Sequence, residues 1–120
     1  MSRLITDLIP EMQALYGAFK AAMDAKGIPF MVTCTRRTQA EQDKLYAKGR
    51  TDPGPIVTWT RNSKHIEGKA FDIAITVNGK VTWESAPYLV AGPIGESVGL
   101  EWGGSWKESK DLPHYQIKEV

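Results

Sequence analysis

The scarcest side chains in this sequence are its two histidines, His65 and His114. Both sit in polar stretches punctuated by glycine or proline, Ser63-Lys64-His65-Ile66-Glu67-Gly68 and Asp111-Leu112-Pro113-His114-Tyr115. Asp72 follows His65 by seven residues, and Gly68 between them permits a turn. A carboxylate in the middle of a β-rich run is unfavourable by propensity and needs a reason. Two imidazoles and one carboxylate form a donor set suited to catalytic zinc, with a fourth position left for water. Spacing alone leaves the plainer alternative open, in which each histidine is a surface or satisfied core residue.

The elements that must position these groups are legible in outline. Leu4, Leu8, Met12, Leu15, Phe19 and Ala22 recur at helical spacing and predict a helix over about 6–25, with Pro10 in its first turn and Gly27 as its C-cap. Residues 28–35 read as a strand. Thr38-Gln39-Ala40-Glu41 is a capping box, opening a short helix to about Ala47 that Gly49 closes. A loop from Thr51 to Lys64 follows, long enough to be functional. Over residues 71–77, Phe71, Ile73, Ile75 and Val77 alternate with Asp72, Ala74 and Thr76, so the Asp72 carboxylate leaves the core side. Asn78-Gly79 predicts a hairpin that returns along residues 80–83. Residues 86–98 read as a helical segment broken at Gly92-Pro93, and residues 114–118 as a closing strand. Helices and strands mix without βαβ regularity. The expected class is α+β, a small antiparallel sheet flanked by helices.

Composition bounds the function. With 120 residues, the chain is expected to form one domain. A net charge of +1 with interspersed signs gives no nucleic-acid footprint. The single cysteine, Cys34, cannot form an internal disulfide and reads as a packed structural thiol. No stretch approaches a membrane span, and the amino-terminal residues lack the apolar run of a secretory signal. Synthesis in the cytoplasm is therefore expected.

Four segments together resemble a known family. Ser63-x-His65-x-x-Gly68-x-Ala70-x-Asp72 resembles the first metal motif of the zinc peptidoglycan peptidases, which include the VanX and VanY types and phage L-alanyl-D-glutamate endopeptidases. Asp111-x-Pro113-His114-Tyr115 resembles their closing motif, and Gly99-Leu100-Glu101-Trp102-Gly103-Gly104-Ser105-Trp106 their Trp-Gly-Gly segment. Arg37-Thr38-x-x-Glu41-Gln42 with Leu45-Tyr46-x-x-Gly49-Arg50-Thr51 resembles their arginine-bearing helix entry. The likeness runs over about residues 28–117, in the family's order.

What the resemblance implies is specific. The fold would be that shared with the hedgehog amino-terminal domain and D,D-peptidases. His65, Asp72 and His114 match the ligands of one zinc ion. Asp111 matches the catalytic carboxylate, with Glu101 next in line as a base. Arg37 matches the arginine facing substrate or oxyanion, and Ser63 a polar group beside the site. Trp59, in the long loop, is placed to touch substrate, whereas Trp102 and Trp106 read as core or groove wall. Ser105 and Gln116 depart from the usual aspartate and glutamate, which puts supporting contacts in question but removes no ligand. The implied substrate is the stem peptide of bacterial peptidoglycan, cut by a monomer of phage-endolysin type at the L-alanyl-D-glutamate bond. D,D-carboxypeptidase activity is the first alternative, and a zinc-holding binding module without turnover the second. The peptidase accounts for nearly all of the chain, so no separate wall-binding domain is expected.

Overall fold

The computed structural model describes residues 1–119. A 3₁₀ turn at Ile5–Asp7 leads into helix α1, Pro10–Ala25. The helix begins later than its apolar spacing predicts. Pro10 sits at its first position, and the residue before a proline is pushed to extended backbone; Ile9 has φ −62° and ψ 152°. At the other end, Ile28 N–H donates to Met23 O and Gly27 N–H to Asp24 O, the paired bonds of a Schellman cap. Strand β1 is Phe30–Cys34, and helix α2 is Gln39–Ala47 with both halves of the predicted capping box in place. No helix or strand occupies residues 48–69.

The remaining elements are β2 (Ala70–Val77), β3 (Lys80–Thr82), α3 (Ser85–Ser97), β4 (Leu100–Trp102) and β5 (His114–Ile117). The named strands all pair antiparallel, in the order β1-β2-β5-β4. β2 is the spine: β1 lies on one edge, while β5 and then β3 share the other. The α+β class read from the sequence is therefore the class observed.

The sheet has two chemically distinct faces. Phe71, Ile73, Ile75, Leu100, Trp102, Tyr115 and Ile117 point to one side and pack with Met12, Phe19 and Met23 of α1 and Tyr88 and Ala91 of α3. Each large apolar side chain buried here contributes about 1.5–3 kcal/mol. Asp72, Glu101, His114 and Gln116 belong to the other parity and the other face. Val77, expected to point inward, is half exposed, because it lies at the hairpin end beyond the core cluster. Among the described residues no helix is long and apolar enough to cross a membrane.

Helix α3 corrects the expected break at Gly92-Pro93, since it runs through both residues. Pro93 and Leu89, four residues before it, are both exposed, so the missing backbone hydrogen bond faces water. The glycines serve packing instead. A Cβ on Gly95 would come within 2.4 Å of the Tyr115 ring, whereas one on Gly17 of α1 would meet nothing within 4 Å. Helix propensity alone favours alanine over glycine by about 1 kcal/mol at either site. Gly17→Ala should raise stability by about that amount in urea unfolding. Gly95→Ala should lower it by about 1–3 kcal/mol, because overpacking outweighs propensity. Equal signs for the two would show that α3 is not seated as described.

Candidate active site

Register brings the polar groups together. Asp72 stands directly across from His114 on β5 and from Cys34 on β1. The β1–β2 pairing carries a bulge between Val32 and Cys34, which re-aims the end of β1. His65 arrives from a tight turn. Ile66 N–H donates to Ser63 O and Gly68 N–H to His65 O, and Gly68 takes the left-handed backbone conformation, φ +70°. Ser63 Oγ accepts from His65 N–H at 3.1 Å and fixes the start of that turn.

The His65 ring is 2% exposed. Its Nδ1–H donates to the buried Thr35 carbonyl at 2.8 Å, so Nε2 is the nitrogen that can give up its proton to a cation. Nε2 lies 3.1 Å from Asp72 Oδ1, not aligned as a hydrogen bond and with no other partner. His114 Nδ1 lies 2.9 Å from the same oxygen. The two rings meet edge-on, with centroids 5.1 Å apart. A buried, unpartnered nitrogen facing a carboxylate is what a divalent cation would satisfy, and the donor set fits one.

The electrostatics agree. Burial alone would push the His65 pKa down, but the Asp72 carboxylate and Cys34 beside it override that and raise it to about 10. Burial would raise the Asp72 carboxyl, yet His114 and His65 hold it well below the usual carboxylate range. Both shifts describe a pocket that attracts positive charge.

Asp111 reaches this cluster from a turn. His114 N–H donates back to Asp111 O at 3.2 Å across Leu112-Pro113, which supplies the bend that strict strand alternation would forbid. Ligand-capable atoms of Asp72, Asp111 and His114 all lie within 4.8 Å of one another. Burial, then the Asp72 charge, pushes the Asp111 carboxyl pKa up even though the residue keeps an open side toward solvent. Gly103 of the Trp-Gly-Gly segment has its reason here, while a Cβ on Gly104 would strike the Trp102 ring. A Cβ on Gly103 would come 2.3 Å from Asp111 O, and Gly103 O accepts from Asp111 N–H.

Arg37 faces the site and Arg36 does not. The Arg37 side chain is 12% exposed, with Nη2 3.9 Å from Asp72 Oδ2. Its Nη1 donates to Gln42 Oε1 at 2.7 Å, and Gln42 Nε2 donates to Thr60 O in the long loop. Cys34 Sγ and His65 with Asp72 also make a metal-capable cluster. However, Sγ lies 3.7 Å from Nδ1 of His65, the nitrogen already given to Thr35, and 3.6 Å from Arg37 Nη2. Cys34 thus packs behind the imidazole, as a buried structural thiol. A cleft of about 710 Å³ opens over these groups, lined by Arg37, Trp59, Ser63, Trp106, Asp111 and His114 among others. Trp59 is 65% exposed at its rim, Trp102 is core, and Trp106 is groove wall.

The sequence profile of the family described as D-alanyl-D-alanine carboxypeptidase matches residues 57–117. The peptidoglycan L-alanyl-D-glutamate endopeptidase CwlK of Bacillus subtilis is 37% identical, over 93% of this chain and 74% of its own length. The chain belongs to this peptidase family. The L-alanyl-D-glutamate peptidase of Listeria phage A118 is 28% identical over 78% of this peptidase, but over only 32% of the phage protein. The crystal structure of the L-Ala D-Glu endopeptidase ChiX from Serratia marcescens superposes with a TM-score of 0.78 at 26% identity, covering 95% of this peptidase and 83% of that chain. The family likeness read from the four motifs therefore holds across the fold.

Sequence reading placed His65, Asp72, His114, Asp111, Arg37 and Ser63 in one region, and they are together. It missed the Thr35 carbonyl and the part played by Gln42, which is fully buried. The only signal for Gln42 was its place beside Glu41 in the helix-entry motif. A divalent ion held by this cluster should stabilise the fold by about 2.7 kcal/mol at a hundredfold excess over Kd. Chelation should then lower the wild-type Tm and leave Asp72→Asn unmoved. Identical wild-type melting with and without chelator would exclude the site.

Proposed function

We propose that this peptidase is a zinc enzyme that hydrolyses the L-alanyl-D-glutamate bond of peptidoglycan stem peptides. The observation that carries the proposal is the convergence of His65, His114 and Asp72 on one point of the cleft, with Asp111 and Arg37 beside it. In this reading those three residues hold one zinc ion. Bound there, zinc would acidify a water molecule and polarise the scissile carbonyl. Asp111 accepts the proton of the attacking water and passes it to the departing amine as the C–N bond breaks. Its raised pKa suits a group that must hold a proton between those events. Arg37, aimed by Gln42, stabilises the oxyanion. Ser63 and Trp59 line the path of the stem peptide.

Two findings bear on which bond is cut. The family description names D-alanyl-D-alanine, while CwlK, the phage A118 protein and ChiX all carry L-alanyl-D-glutamate in their names. The CwlK match covers nearly the whole chain, so it weighs more than a profile over half of it. The phage relative favours a lysin that meets the wall once the host membrane is breached. Retention of Asp111 weighs against a binding module, which needs no base.

Digestion of purified sacculi, followed by mass spectrometry of the muropeptides, tests the assignment. Free tetra- or tripeptide starting at D-glutamate is expected; released D-alanine would favour the carboxypeptidase. Asp111→Asn should keep its zinc and Tm yet lose about 10²–10⁴-fold in turnover, the size of a general acid–base contribution. Arg37→Ala should lower kcat/KM by roughly 10²-fold or more at unchanged zinc content, with Arg36→Ala nearly silent. Loss of zinc in Asp111→Asn would make Asp111 a ligand instead.

A further inference from the structure

Glu101 and Gln116 have no part in the scheme above, yet they stand against a ligand. They are paired across β4 and β5, on the face that carries His114. Glu101 Oε2 accepts two hydrogen bonds, from Trp106 Nε1 at 3.0 Å and from Gln116 Nε2 at 3.0 Å. A carboxylate only accepts, so the Gln116 amide must turn its NH₂ toward Glu101. Its Oε1 then faces His114 Nε2 at 2.8 Å. A carbonyl oxygen also only accepts, so that ring nitrogen must carry a proton. Nδ1 faces an acceptor as well, Asp72 Oδ1 at 2.9 Å, so a cation held between them would take the place of a proton on Nδ1 while Nε2 keeps its own.

We propose that Glu101 and Gln116 are positioning residues that fix the tautomer of His114, with the proton on Nε2 and Nδ1 free for metal. Trp106 completes the device by holding the Glu101 carboxylate. The inference rests on His114 being a ligand, as argued under Proposed function. It deepens that reading by assigning the amide orientation a task. Were the amide turned over, its NH₂ would face Nε2, and the ring would have to place its proton on Nδ1, against the cation. The sequence offered Glu101 as a reserve base. The structure gives it different work: Glu101 does not line the cleft, and its Oε2 is committed to Trp106 and Gln116.

Two readouts test the device. One is zinc affinity by chelator competition, in wild type, Glu101→Leu, Glu101→Gln, Gln116→Leu and His114→Ala. The other is the site of the His114 ring proton in ¹⁵N–¹H spectra of the zinc-loaded protein. Glu101→Leu and Gln116→Leu should each weaken zinc binding about 10–100-fold, the usual cost of losing a partner of a metal-bound histidine. Glu101→Gln keeps an oxygen acceptor and should recover most of that loss. The wild-type spectrum should show the proton on Nε2. Unchanged affinity in Gln116→Leu, or a proton on Nδ1, would overturn the proposal. So would Glu101→Gln if it held zinc normally but lost turnover on the scale of a missing base. Retention of zinc by His114→Ala would instead sink the ligand assignment itself, a failure distinguishable from the first.

Discussion

Asp72 and His114 face each other across β2 and β5, and that register fixes the distance between the carboxylate and the imidazole. Side chains alternate along a strand, so a slip of one residue between β2 and β5 would turn the whole polar set inward. The apolar face prevents that slip. Phe71 and Tyr115 are also cross-strand partners, and their rings stack with centroids 5.5 Å apart. Ile73 and Ile117 are buried on the same side. Exchanging these for Asp72, His114 and Gln116 would bury unpaired polar and charged groups, each at a cost of several kcal/mol. The core thus sets the register, and the register sets the distance between carboxylate and imidazole.

Two further supports come from outside the strands and converge on the same point. The turn over residues 63–68 delivers His65, and the Thr35 carbonyl at the end of the bulged β1 orients its ring. Arg37 N–H donates to His65 O at 3.0 Å, so the arginine and the histidine are tied through the backbone before any side chain meets. The capping box at Thr38 then starts α2 immediately after Arg37. Because α2 begins there, Gln42 lands one turn on, facing inward, where it grips both Arg37 and the long loop. Local helix-start chemistry therefore has a consequence at the cleft: it fixes which of two adjacent arginines points in.

Much of this was legible in the residues, and for identifiable reasons. The capping box, the Asn78-Gly79 turn and the alternation through residues 71–76 are local signals with local causes, and they survive folding intact. The site residues were legible through linked motifs, not through any one spacing. What escaped depends on distant partners. Gly92-Pro93 looks like a helix break until Trp102 and Tyr115 are known to need the space beside Gly92 and Gly95. Val77 follows the apolar alternation but stands past the edge of the helices that cover its neighbours. Gln116 looked like a weakened substitute for a glutamate. Only its cross-strand partner, Glu101, gives its amide a fixed direction, and no sequence pattern encodes a pairing between β4 and β5.

In the proposed site one cation lies between His65 Nε2, His114 Nδ1 and Asp72. Anomalous diffraction at the zinc absorption edge, from crystals of the zinc-loaded protein, addresses it most directly. One peak per chain is expected, about 2.0–2.2 Å from each of those two nitrogens and from a carboxylate oxygen of Asp72. A peak bound instead by Cys34 Sγ or by His114 Nε2, or the lack of any peak in this cleft, would contradict it.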